Sequence, residues 1–447
     1  MRIKLEFRAV KMGPPCREEI EKKPQGVQTL NIGLISLTYG IYHTRYPTIK
    51  EADWPIKLLG YSKAFLDSIS LAYSLRQLSQ DKKVYPEYLE DFETRAFWGR
   101  IGAAFGYLAL AKGGYTFIGP ATSLTPNKSR NCGTRHSQKR RPDSEQRTES
   151  KRIPDFVLEN TNRELAVLET KGSSILRKPP KYPPSSDDIK SLREQVLPYY
   201  GGELSPPRAG GKIAHAWYSR LFKRNDTPTL LLAHTPNAPW GTSSRSASYL
   251  RSWLSRIHYD KVLSLIGLQI LGTSLLADTL DAGIVDYIDL FLNDGWVLSV
   301  TFKGRRFYFS PLTAPLLPPF SSPFYPRDWW YWWYWRDWRD WWYWWRWRKS
   351  TRDFLPPLFA LEEGYFKAFL RGAIQLTKVG KPGEVWEKVE LPLLEIPYED
   401  EIGYEGDDPL MFNLERQPVL FRDGILGFIP NHFLEEVEPV RVLDLLG

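Results

Sequence analysis

Residues 153–158 (IPDFVL) and 165–171 (LAVLETK) constrain the fold more than any other part of this chain. Each run is short and apolar enough to be a strand, and residues 160–163 between them read as a turn. A register that sets Asp155 opposite Glu169 centres that turn on Asn162. Residues two apart along a strand share a face. Asp155, Glu169 and Lys171 then project together from one face. The opposite face carries Phe156, Leu158, Ala166 and Leu168, and the carboxylate face is itself apolar at Val157, Leu165 and Val167. Apolar residues on both faces mark a central strand pair covered by helices. Two carboxylates and a lysine are costly to bury in such a place. A divalent cation would give them a purpose.

The surroundings predict a layered α/β unit. Residues 87–111 read as a long helix rich in small residues, among them Gly99, Gly102, Ala103 and Gly106, which let a helix lie close against a sheet. Gly113-Gly114 stops it. Residues 115–119 read as a short strand. After the strand pair come a Pro- and Ser-rich loop (178–186), a helix (187–200) with acids in its first turn and Gly201-Gly202 beyond it, and a further strand (229–234). The order is helix, strand, strand, strand, helix, strand. Elsewhere, residues 61–80 read as an amphipathic helix through Phe65, Ile69, Ala72 and Leu75, residues 248–277 as one or two helices, and residues 295–309 as a hairpin.

Ile153-Pro154-Asp155-Phe156, followed by Glu169-Thr170-Lys171 beginning fourteen positions after Asp155, resembles the PD…(D/E)xK motif of the restriction-endonuclease-like nuclease superfamily. The element order is similar to that superfamily's common core. Gln195 and Tyr199 resemble the QxxxY motif of its RecB-like branch. Pro198 inside that motif is a departure, and it predicts that the helix ends near there. The resemblance covers about a third of the chain, and its motifs are short. It implies an α/β fold with a restriction-endonuclease-like core, a mixed central sheet flanked by helices in αβββαβ order, with additional N- and C-terminal regions. It implies a nuclease hydrolysing phosphodiester bonds, DNA first, in defence, repair or mobile-element processing.

The resemblance also implies roles. Asp155, Glu169 and the Thr170 carbonyl would hold Mg²⁺ or Mn²⁺, hard cations that prefer oxygen ligands. Lys171 would orient the attacking water or stabilise the transition-state charge. Gln195 would help position the water or the lysine, and Tyr199 the backbone phosphate. Many members of the superfamily add a glutamate on the first helix. Here that region holds Gly102, Ala103 and Ala104; Glu93 is the nearest upstream candidate, with Glu90 behind it. A missing helix glutamate favours the rival reading, a catalytically inactive nucleic-acid-binding or assembly module on the same fold.

Charge supports a polyanionic partner. Residues 121–152 carry nine Lys or Arg against three acids, +6 of the chain's formal +8. Almost no large apolar residue lies among them, so they read as a flexible insertion. Lys139, Arg140 and Arg141 are its densest run and the candidate phosphate contacts. The expected partner is nucleic acid, with a homodimer or a helper protein left open. Several classes are set aside. Cys16 and Cys132 are too few for a disulfide framework or an iron–sulfur cluster. The six histidines show no HExxH or HxE spacing, so no zinc site is expected. There is no GxxxxGK[ST] phosphate loop. No apolar stretch follows the basic N-terminal residues, and the longest uncharged apolar run, 262–277, falls short of a bilayer. A soluble, cytoplasmic protein with no membrane partner is the expectation.

The composition divides the chain into an N-terminal α/β region (1–83), the nuclease-like core (84–240) and a helical and hairpin extension (241–310). A Pro-rich linker with a Trp-rich block (311–349) and a mixed C-terminal region (350–447) follow. Residues 329–348 hold 11 of the 18 tryptophans in near-repeats of W-W-Y and W-R-D. Such repetition reads as a compositional insertion. The alternative is a scaffold whose aromatic block is the functional surface, because aromatic and Arg side chains stack on unpaired bases.

Overall fold

The structure is a computed structural model. It describes residues 2–13, 17–44, 54–80, 91–121, 124–125, 153–160, 162–172, 184–204, 212–224, 227–238, 240, 248–250, 252–310, 357–392, 418–429 and 437–446. The linker 311–326, the Trp-rich block and Lys139, Arg140 and Arg141 lie outside the described residues. The chain forms two compact units. The first takes residues 1–32, 77–246 and 252–254; the second takes 33–76, 247–251 and 255–447. The first cut falls at 32/33, inside the stretch 1–83 that composition groups as one region.

The first unit is built on a mixed eight-stranded sheet. Its N-terminal strands are β1 (Arg2–Gly13), β2 (Arg17–Ile20) and β3 (Gly26–Asn31). Then come β4 (Phe117–Pro120), the two-residue β5 (Leu124–Thr125), β6 (Phe156–Glu159), β7 (Leu165–Gly172), the two-residue β8 (Glu203–Leu204), β9 (Ile213–Arg224) and β10 (Thr227–His234). The sheet order is β2-β1-β10-β9-β7-β6-β4, with β3 also on β1, while β5 and β8 pair with each other. β1 runs parallel to β10 and β7 parallel to β9; the other neighbours are antiparallel. The architecture is mixed α/β.

β6 and β7 pair in the expected register, Phe156 with Leu168 and Val157 with Val167. The turn joining them is built by Asn160. Its side-chain oxygen accepts from the amides of Asn162 and Glu164, both at 2.9 Å, and Arg163 takes the left-handed conformation at φ +66°. Both strands are buried on both faces until Lys171, where β7 leaves the core.

Two differences from the sequence expectation matter for the site. An additional strand, β9, lies beside β7, and the expected strand at 229–234 forms β10 one place further out. β9 escapes a periodicity reading because His215, Ser219 and Arg220 interrupt its apolar residues. β1 is likewise a strand that the sequence reading does not contain. Its alternation places Glu6 and Arg8 inside, where they pair at 3.0 Å.

In chain order the helices begin with α1 (Leu34–Thr44) and α2 (Trp54–Gln80), which pass through the second unit. α3 (Asp91–Lys112) and α4 (Ser186–Ser191) belong to the first unit. α3 lies against β7 and β9. A Cβ on Gly102 would sit 2.7 Å from Gly172 Cα, and one on Gly106 would sit 2.5 Å from Ser219 Oγ. The small residues therefore set the helix–sheet distance. Thr170, Gly172 and Ser219 form the face that α3 covers.

The single helix expected over 187–200 is broken in three. α4 starts at a capping box between Ser185 and Asp188. A π turn follows (Leu192–Val196), then a 3₁₀ turn (Leu197–Tyr199). Pro198 has no N–H to continue the helix and its ring crowds the carbonyl four residues back, so the helix loosens before it.

The second unit holds an antiparallel six-stranded sheet and its helices. After the two-residue β11 (Ser248–Tyr249) come α5 (Trp253–Leu265), α6 (Gln269–Ser274), α7 (Ala282–Asp294), β12 (Trp296–Phe302), β13 (Arg305–Phe309) and β14 (Leu358–Glu362). They are followed by α8 (Glu363–Val379), α9 (Pro382–Trp386), β15 (Glu390–Leu391), β16 (Val419–Leu420), β17 (Ile425–Phe428) and β18 (Glu438–Arg441). The sheet order is β16-β17-β14-β13-β12-β18. β12 and β13 form the expected hairpin, turning on Lys303 and Gly304, both at positive φ as a primed two-residue turn requires. Among the described residues no helix is long and apolar enough to cross a membrane.

Candidate active site

Strand alternation and the β6–β7 register bring Asp155, Glu169 and Lys171 to one place. Asp155 sits exposed on the bend that enters β6. Its Oδ2 accepts from the Thr170 amide at 2.8 Å and from the Thr170 hydroxyl at 2.7 Å. Thr170 therefore clamps Asp155 through its amide and hydroxyl, whereas the sequence reading used only its carbonyl. Glu169 is 2 % exposed. Lys171, its side chain 39 % exposed, forms an ion pair with Glu169 Oε1. Two residues along one strand thus span the boundary between core and solvent, carboxylate inside and ammonium outside.

The electrostatics follow from that placement. Burial, then the negative charge of Asp155, raises the Glu169 carboxyl from an ordinary 4.5 to about 7; Lys171 and the Asp155 backbone amide oppose the rise. Glu169 Oε2 is buried with no hydrogen-bond partner among the described residues, and so is Gln195 Oε1. Buried polar oxygens without partners are uncommon and call for an explanation. Two neighbouring carboxylates and a buried orphan oxygen are a donor set that fits a hard divalent cation. Asp155 and Glu169 are the residues that would hold it.

The helical turn after β7 covers the Glu169 face. In a parallel ladder Tyr218 lies beside Glu169 and Arg220 beside Lys171. Both reach Asp188 on α4: the Tyr218 hydroxyl donates to its Oδ1, and Arg220 Nη1 donates to the same oxygen at 2.7 Å and to Ser185 Oγ at 2.9 Å. Asp188 is fully buried. The capping box of α4 is therefore also the anchor that holds this crossover onto the sheet. Sequence reasoning noted acids in the first turn of this helix but missed Tyr218 and Arg220, because it missed β9.

The remaining expected residues fall differently. Gln195 lies in the π turn, which packs against β7 and β9. Tyr199 is 2 % exposed in the 3₁₀ turn against β9. That enclosure leaves little of its side chain at the surface. Glu93 is in the first turn of α3, and its side chain lies outside the described residues. The part of α3 nearest the site offers Gly102 and Gly106 to the Thr170 face, so no carboxylate comes from there. Comparison with protein-family models, with curated proteins and with solved structures gave no match.

Proposed function

We infer that the first unit is a divalent-cation-dependent nuclease with a restriction-endonuclease-like core, acting on DNA. The observation that carries this reading is the meeting of Asp155, Glu169 and Lys171 where β7 leaves the core. Asp155 and Glu169 hold Mg²⁺ or Mn²⁺ in this reading, with Thr170 fixing the Asp155 carboxylate. When bound, the cation acidifies a water and neutralises charge on the phosphate. Lys171 orients the attacking water and stabilises the charge that develops as its oxygen bonds to phosphorus and the ester P–O bond breaks. The basic stretch 121–152 supplies contacts to the phosphate backbone. The second reading, an inactive nucleic-acid-binding module, is favoured by one observation: α3 brings glycine rather than glutamate to the sheet.

Single-turnover cleavage of linear, circular and single-stranded DNA separates the two. Wild-type protein is expected to cleave with Mg²⁺ or Mn²⁺ and to stop with EDTA. Asp155→Ala loses cation affinity and cleavage together. Lys171→Ala keeps cation and DNA binding but loses roughly 10²–10³ of the rate, the scale of a lost electrostatic stabiliser. The double variant costs little more than either single one, since residues acting as a unit are not additive. Folded wild-type protein that binds DNA and cleaves none of these substrates would leave the inactive module. A Lys171→Ala variant cleaving near the wild-type rate would remove Lys171 from the mechanism.

A further inference from the structure

The second unit contains a group that no local sequence pattern shows. His43 ends α1, His258 lies in α5, and Asp423 lies in the turn between β16 and β17. All three are buried, and one potential ligand atom from each lies within 4.8 Å of the others. More than two hundred residues separate His43 from His258, and more than a hundred and fifty separate His258 from Asp423, so the tertiary fold alone assembles them.

The group is held in place from outside. His258 Nε2 is 2.8 Å from Asp423 Oδ2. The Tyr39 hydroxyl donates to that same oxygen at 2.5 Å, and the Tyr39 ring stacks on Phe421 at 3.9 Å. The Ile425 amide donates to Asp423 Oδ1 at 3.3 Å. The His43 and His258 rings lie nearly parallel, their centroids 4.7 Å apart. Lys261 directs its ammonium to the backbone carbonyl of His43, and its charge bears on the His43 ring. Hydrogen-bonded partners that orient the ligating side chains are the usual outer shell of a metal centre.

We propose that His43, His258 and Asp423 form a buried binding site for a zinc-like divalent ion in the second unit. Two imidazole nitrogens and one carboxylate oxygen suit a borderline ion such as Zn²⁺ rather than Mg²⁺. Ligand atoms about 2.1 Å from Zn²⁺ at tetrahedral angles lie about 3.4 Å apart. In the structure His258 Nε2 and Asp423 Oδ2 are 2.8 Å apart and all three ligand atoms lie within 4.8 Å of one another, so an ion would draw side chains already gathered there. Ligation through Nε2 uses the His258 tautomer whose proton sits on Nδ1. Three protein ligands leave one position for a water. With all three residues buried, the role is to tie α1, α5 and the β16–β17 turn together. The proposal is independent of the nuclease reading, which concerns oxygen ligands in the other unit.

The test uses the full chain, expressed with zinc in the medium and gel-filtered without chelator. Elemental analysis is expected to find close to one zinc per chain. An Asp155→Ala, Glu169→Ala double variant keeps it. His258→Gln and Asp423→Asn lose it. Protein stripped with a strong chelator melts at a lower temperature, recovers with Zn²⁺, and takes up Co²⁺ with the visible absorption of a tetrahedral complex. Wild-type protein that carries no zinc, shows no Co²⁺ absorption and melts unchanged with Zn²⁺ would overturn the proposal, leaving a hydrogen-bonded Tyr39–Asp423–His258 core network. Zinc retained by folded His258→Gln would overturn it equally. The wild-type measurements decide the matter even if the variants do not fold.

Discussion

At the scale of residues, Glu169 is where pH acts on the first unit. Its carboxyl titrates near pH 7 in the folded protein, against an ordinary 4.5. Between those values the folded state keeps a proton that the unfolded chain has released. Stability therefore falls as pH rises from about 4.5 to 7 and levels off above. At about 1.4 kcal/mol per pH unit the loss is roughly 3 kcal/mol. A cation held by Asp155 and Glu169 opposes the trend, because Glu169 then gives up its proton on binding. Chelator-treated protein unfolded by denaturant at pH 5 and pH 8 is expected to be less stable at pH 8. Mg²⁺ should narrow the difference, and Glu169→Gln should remove most of it. Wild type and Glu169→Gln showing the same pH slope would mean that Glu169 is ionised throughout. The clustering of Asp155, Glu169 and Lys171 was legible in the sequence, because strand alternation is local geometry. Arg220 was not: its partner Asp188 lies 32 positions away, and only the sheet brings them together.

At the scale of elements, the contact between α3 and β7 is made of backbone on backbone. A Cβ at Gly102 would press on Gly172 Cα at 2.7 Å and N at 2.8 Å, with no flexible side chain to yield. Gly→Ala inside a helix ordinarily stabilises by about 0.5–1 kcal/mol. Here the overlap outweighs that gain, and Gly102→Ala is expected to destabilise by about 1–3 kcal/mol. Gly99, on the same helix, has nothing within 4 Å of its would-be Cβ, so Gly99→Ala should stabilise slightly. Denaturant melts of the two variants side by side check the pair of signs; equal and opposite behaviour from that expected would place α3 elsewhere on the sheet. The helix, the β6–β7 hairpin and the β12–β13 hairpin were readable because small residues, Asn160 and Gly304 state their own backbone needs. β9 was not, since Ser219 and Arg220 find their partners through the tertiary fold rather than in solvent.

At the scale of the whole molecule, the basic stretch joins chain order to function. Leu124-Thr125 pairs with Leu204 and Glu203, so a deletion that spares the fold must start after Thr125. Replacing residues 126–149 with a short Gly/Ser linker removes seven of the nine basic residues. DNA binding is expected to weaken, and the dependence of log affinity on log salt to flatten, because fewer counterions are released. An unchanged salt slope would show that these charges do not meet phosphate. The sequence by itself determined the parts that obey local rules: a strand pair apolar on both faces, its turn, a glycine-lined helix, and three charged side chains gathered on one side of that pair. Which strands are neighbours was decided only by the tertiary structure. β1 pairs with β10 across more than two hundred residues, α1 and α2 pass into the second unit, and His43, His258 and Asp423 meet from three distant segments. Periodicity records which face of an element is apolar. It carries no record of which other element that face, or a buried His or Asp on it, will meet.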